Sequence, residues 1–181
     1  MPRWINAANG LTALRLLLAP PIVAAMWTGR HTLALALFML AAATDVLDGA
    51  AARQFGLETP LGAYLDPIAD KCLLNAMFLA MAGARMVPWW FVVIVLGRDL
   101  YLLLAAAILL RFTRRRKFSP SVWGKVSTFV QIVTAIAALT AGILGHSNLW
   151  IPVALIRISA LFTIWSGVEY TWRGIGLVRA D

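Results

Sequence analysis

The chain has 181 residues, of which 61% are hydrophobic and 13% charged, whereas soluble domains average roughly 45–50% apolar and about 25% charged. That balance excludes a protein built around one ordinary soluble core. The net charge of +8 does not point to nucleic acid, because the basic residues sit between apolar runs and not on aromatic-rich polar loops. Cys72 is the only cysteine, which removes an intramolecular disulfide and a cysteine-based metal site from consideration.

A helix that crosses the hydrocarbon layer takes about 20 apolar residues. With polar loops this scarce, the length predicts an all-α polytopic membrane protein of six spans. It forms one domain over residues 1–181, with 1–10 as a short juxtamembrane segment. The first predicted span, Leu11–Trp27, carries Arg15 inside its apolar run, which argues against a cleavable secretory signal. Arg15, and Arg157 in the last span, read as snorkelling residues or as partners inside the bundle. The remaining spans are Leu33–Ala52, Asp66–Ala84, Trp89–Leu110, Val122–Leu144 and Leu149–Tyr170, bounded by Gly, Pro or charge clusters.

With the N-terminus inside, Arg3, Arg53, the run Arg111, Arg114, Arg115, Arg116 and Lys117, then Arg173 and Arg179, all fall on the cytoplasmic side. Only Arg30 and Arg85 fall outside. This lopsided count is the positive-inside pattern and places both termini in the cytoplasm, as in a bacterial inner membrane. The basic run reads as a topology anchor on anionic headgroups. Trp89, Trp90 and Trp150 read as interfacial belt residues, and His31 and His146 fall in outer loops.

Eight acidic residues occur in the chain, and four of them, Asp45, Asp48, Asp66 and Asp70, fall in one short stretch. Asp45 and Asp48 are three apart and Asp66 and Asp70 four apart, so each pair shares a helix face and the two can meet across a helical hairpin. Converging carboxylates at a membrane surface are costly unless cations join them. Oxygen-only ligation without Cys or His suits Mg²⁺ or Mn²⁺ bridging to substrate phosphates. Gly49 and Ala52 let a bulky ligand approach the same helix, and Arg53 offers a planar cation to phosphate. Gly62, taken by itself, reads as a turn glycine before Asp66.

Written out, Asp45-x-x-Asp48-Gly49-x-x-Ala52-Arg53, eight residues, then Gly62-x-x-x-Asp66-x-x-x-Asp70 resembles the full signature of the CDP-alcohol phosphatidyltransferase family. The resemblance implies metal-dependent transfer of a phosphatidyl group from CDP-diacylglycerol to an alcohol, with release of CMP. It implies that Asp45, Asp48 and Asp66 help bind metal and the CDP diphosphate while Asp70 serves as general base. It also implies a CDP site that includes Gly49, Ala52, Arg53 and Gly62, and a homodimer among membrane lipids. Family members carry Asn and Thr near the first span, matched by Asn9 and Thr12, although the usual proline before that asparagine is Ala8 here.

Arg98 and Asp99 lie inside the fourth span and Lys125 at the cytoplasmic end of the fifth. Two readings stand: Arg98 and Lys125 receive a phosphate on the acceptor, or Arg98 and Asp99 pair with charges on other helices such as Lys71 or Arg157. Neighbours in sequence point in different directions on a helix, so a bond between Arg98 and Asp99 themselves is not expected. Gly97-Arg98-Asp99-Leu100 and Gly124-Lys125-Val126-Ser127-Thr128 with Gln131 resemble cardiolipin synthases and phosphatidylglycerophosphate synthases. The Arg-Asp pair favours the former and hence phosphatidylglycerol as acceptor; Thr163-Ile164-Trp165-Ser166 with Tyr170 resembles the latter, which use glycerol-3-phosphate. A proton-coupled transporter would also place aspartates in membrane helices, but it does not account for the Gly, Ala and Arg spacing.

Overall fold

The computed structural model describes the backbone of residues 7–55, 60–112, 121–145 and 150–178, and the side chains of 14–44, 69–105, 121–145 and 150–174. Among the described residues there are six helices and no strand: α1 Ala7–Trp27, α2 His31–Phe55, α3 Pro60–Gly83, α4 Trp89–Phe112, α5 Val122–Ile143 and α6 Trp150–Val178. His31 therefore opens a helix instead of lying in a loop, and His146 lies outside the described residues. Helix α3 begins six residues ahead of the expected start at Asp66, which takes in Gly62. The turn reading of Gly62 is thereby corrected: Pro60 has no N–H to leave unpaired and its fixed φ suits a first helical position, so the helix can start there.

Helix ends follow local chemistry. Gly29 (φ 72°) and Gly145 (φ 70°) take the left-handed conformation that a glycine adopts without a Cβ penalty. After α1, Gly29 N–H donates to Met26 C=O at 3.2 Å and Arg30 N–H to Ala25 C=O at 2.8 Å, the paired bonds of a Schellman cap. The same pair closes α3, with Arg85 (φ 59°) in the glycine position. Ser121 caps α5, its hydroxyl accepting from Gly124 N–H at 2.9 Å.

The chain divides into two compact units, Met1–Met86 and Val87–Asp181. In the first, α1 packs against both α2 and α3, around Ile22, Met26, Ala34, Phe38, Met77, Phe78 and Met81. In the second, α6 packs against both α4 and α5. The α5–α6 seam is made of small and polar side chains: Ser127, Gln131, Thr134, Ala135 and Ala138 face Ser159, Ala160 and Thr163, all buried. Thr163 is its hub. Its Oγ1 donates to Ser159 C=O at 2.7 Å, accepts from Gln131 Nε2 at 2.9 Å, and shares a 3.3 Å bond with Ser127 Oγ. With the Thr163 proton already committed to Ser159, Ser127 is the donor in that last bond.

Among the described residues the outer surface is strongly apolar. Leu17, Trp27, Val93, Val122, Phe129, Leu161 and Trp172 are each more than two-thirds exposed, while Arg15, Arg98, Asp99 and Gln131 are buried. Such a surface is untenable in water over this extent, and small-residue and hydroxyl seams are how helices associate in lipid. Among the described residues, two helices are long and apolar enough to cross a membrane, Val122–Ile143 and the Trp150–Gly174 part of α6, with mean hydropathy 1.8 and 1.7. Leu14–Trp27 and His31–Thr44 are shorter apolar stretches.

Candidate active site

The signature residues occupy two helices of the first unit. Asp45, Asp48, Gly49, Ala52 and Arg53 lie in the last three turns of α2, and Gly62, Asp66 and Asp70 in the first three turns of α3. Asn9 and Thr12 lie in the first two turns of α1, the helix packed against both of the others. Of these side chains only that of Asp70 is described; the expected meeting of the two aspartate pairs lies outside the described residues.

Asp70 sits at the edge of the unit with 38% of its side chain exposed, and its Oδ1 accepts from Nη1 of Arg15, whose side chain is 5% exposed. The pair links α1 to α3. Of the two roles open to Arg15, pairing inside the bundle is therefore the observed one. A charge in an apolar run needs a partner, and half of the chain's few acidic residues belong to the signature; that scarcity is the one sequence signal that could have narrowed the choice, but the sequence alone names no partner for Arg15.

In the second unit Arg98 is buried and crosses from α4 to its neighbours. Its Nη1 donates to Asp99 Oδ1 at 2.9 Å and its Nη2 to Ser166 Oγ of α6. The expectation that Arg98 and Asp99 do not bond is overturned. The long arginine stem folds back far enough to reach the carboxylate next to it, and burial of both side chains, each 7% exposed, leaves neither free to pair with water. The guanidinium also lies against the first turn of α5: a Cβ on Gly124 would stand 3.5 Å from Arg98 Nη2 and 3.4 Å from Ser121 Oγ. Arg98 thus approaches the turn that carries Lys125, which is exposed. Its Nε is buried with no hydrogen-bond partner among the described residues.

Gly124 and Ser166, which lie against Arg98, fall in the stretches that resemble the two synthase groups, but their contact with Arg98 is not legible in the linear order because they come from two different helices. A cleft of about 310 Å³ runs between α4 and α6 past Gly97, Arg98, Tyr101, Gly167 and Thr171. The Arg98 stem passes this cleft, with Cγ 3.8 Å from where Gly167 would bear a Cβ, while its Nη2 donates to Ser166 Oγ.

A helical membrane enzyme with a carboxylate signature on two consecutive helices and a buried cation in its other unit is the class that this architecture defines. Residues 5–165 match the family described as CDP-alcohol phosphatidyltransferase, and the chain belongs to that family. It is 34% identical over 180 residues to a protein of Mycobacterium tuberculosis (strain CDC 1551 / Oshkosh) named probable phosphatidylglycerophosphate synthase, covering 96% of this chain and 83% of that one. It is 29% identical over 185 residues to the CDP-diacylglycerol--glycerol-3-phosphate 3-phosphatidyltransferase of Escherichia coli (strain K12), covering 97% and 96%. The chain is accordingly a transferase of phospholipid biosynthesis.

Proposed function

We propose that this enzyme transfers the phosphatidyl group of CDP-diacylglycerol to a hydroxyl of glycerol-3-phosphate, releasing CMP and forming phosphatidylglycerophosphate. The observation that carries the acceptor is the likeness, over 96% of the chain, to a protein named for that product. Phosphatidylglycerol, the acceptor favoured by the Arg98-Asp99 dipeptide, gives way: two adjacent residues weigh less than similarity over nearly the whole chain.

In the reaction, the acceptor oxygen forms a bond to the phosphatidyl phosphorus, the bond from that phosphorus to the CMP oxygen breaks, and the acceptor proton passes to the Asp70 carboxylate. Asn9, Thr12, Gly49, Ala52, Arg53 and Gly62 bind the CDP portion, with Arg53 on phosphate. Arg98 and Lys125 receive the phosphate of glycerol-3-phosphate; a buried guanidinium already oriented by Asp99 and Ser166 suits a doubly charged monoester. The donor set fits Mg²⁺ or Mn²⁺, because Asp45 and Asp48 on α2 and Asp66 on α3 offer hard oxygens only. Bound there, with Asp70 as the fourth carboxylate at hand, the ion would neutralise diphosphate charge. The positive-inside pattern puts this chemistry on the cytoplasmic face, and the working form is a homodimer.

The test is incubation of the purified protein with CDP-diacylglycerol and either glycerol-3-phosphate or phosphatidylglycerol, with CMP release measured and lipids separated by thin-layer chromatography. Phosphatidylglycerophosphate from the first incubation only is expected. Cardiolipin from the second, with no product from the first, reverses the assignment.

A further inference from the structure

We infer that Arg15 is a positioning residue for the transfer: its buried guanidinium grips the Asp70 carboxylate and aims it at the acceptor hydroxyl. This inference rests on the reading of Asp70 as proton acceptor and goes beyond it by naming what holds Asp70 in place. The two partners are unequally buried. An arginine that snorkelled would be exposed, and two misplaced charges that merely neutralised each other would both be buried. Here the cation side chain is 5% exposed and the carboxylate side chain 38% exposed, so the anchor lies beneath and the carboxylate stays reachable above it.

The surroundings leave the anchor little freedom. Arg15 as a whole residue is 4% exposed and lies on α1, which packs against α3. A planar guanidinium held in such packing donates along a fixed direction, unlike a flexible ammonium. The Asp70 carboxylate, carried on a side chain with two rotatable bonds, is constrained by that donor. The same charge divides labour among the signature carboxylates. A cation already bonded to Asp70 repels a second one, so a divalent ion is better held by Asp45, Asp48 and Asp66. Asp70 is left to take the proton.

The test uses the full-length protein in detergent and separates binding from turnover. Arg15→Gln is expected to leave CDP-diacylglycerol affinity within about twofold by calorimetry without acceptor, and to lower kcat about a hundredfold, the cost of misplacing a reacting group by about an ångström. KM for CDP-diacylglycerol should not move, because the loss is felt only in the transition state. Arg15→Lys, which keeps the charge but not the fork, should fall between wild type and Arg15→Gln. A kcat for Arg15→Gln within about threefold of wild type overturns the inference. So does parallel loss of substrate binding and turnover, which marks Arg15 as a packing element only. Should Arg15→Gln not fold, Arg15→Lys carries the test: lowered kcat with unchanged binding supports the inference, and wild-type kcat or lost binding overturns it. Asp70→Asn measured alongside separates the two layers. If Asp70→Asn turns over normally, the base reading itself fails; if it is inactive while Arg15→Gln is normal, only the positioning role falls.

Discussion

Asp99 offers a quantitative test of how the second unit is held together. Its carboxylate accepts from Arg98 Nη1 at 2.9 Å, with both side chains 7% exposed. Asp99→Asn keeps an acceptor oxygen for Arg98 and removes the charge. A hydrogen bond between charged groups contributes about 1.5–3 kcal/mol and a neutral one about 0.5–1.5, so this substitution should cost about 1–2 kcal/mol. Asp99→Leu removes the acceptor as well and leaves Arg98 with Ser166 as its remaining described partner. An uncompensated buried guanidinium raises the cost to about 3–5 kcal/mol. Unfolding of both variants in detergent, followed by tryptophan fluorescence during denaturant titration, should therefore give a loss for Asp99→Leu about twice that for Asp99→Asn or more. Equal losses, or none in either, would refute the claim that charge compensation at Arg98 stabilises this unit.

Further outcomes follow from the proposed site. Asp45→Asn, Asp48→Asn and Asp66→Asn should each abolish CMP release in folded protein, and EDTA should stop the wild-type enzyme until Mg²⁺ or Mn²⁺ is returned; full turnover in chelator would end the metal reading. Gly124→Leu should raise KM for glycerol-3-phosphate without changing CDP-diacylglycerol binding, since its side chain must displace the guanidinium that stands 3.5 Å from the Cβ position, whereas Gly124→Ala, whose contacts of 3.4–3.6 Å are ordinary, should be tolerated. A cysteine introduced within residues 111–117 should react with an impermeant thiol reagent from the cytoplasmic side only, and one beside His146 from the opposite side only. Reversed labelling would overturn the orientation drawn from the Lys/Arg count.

What the sequence determined by itself was whatever depends on local or compositional physics. Apolar runs long enough for helices located all six elements, with most ends within a few residues, because backbone groups in an apolar setting must bond within their own segment. The spacing of Asp45, Asp48, Asp66 and Asp70 with Gly49, Ala52, Arg53 and Gly62 marked the family, since a signature confined to two consecutive helices survives in the linear order. Helix α3 starts at Pro60 and not at Asp66, because the turn preference that Gly62 carries in isolation is overridden within its helix. Only tertiary structure could decide the partners of buried charge. Arg15 finds Asp70 55 positions away, and Arg98 finds Ser166 68 positions away, distances over which no periodicity operates. The bond from Arg98 to Asp99 ran against the helical rule for adjacent residues because that rule describes where Cβ atoms point, whereas a long side chain shut away from water bends to whichever carboxylate packing leaves within reach.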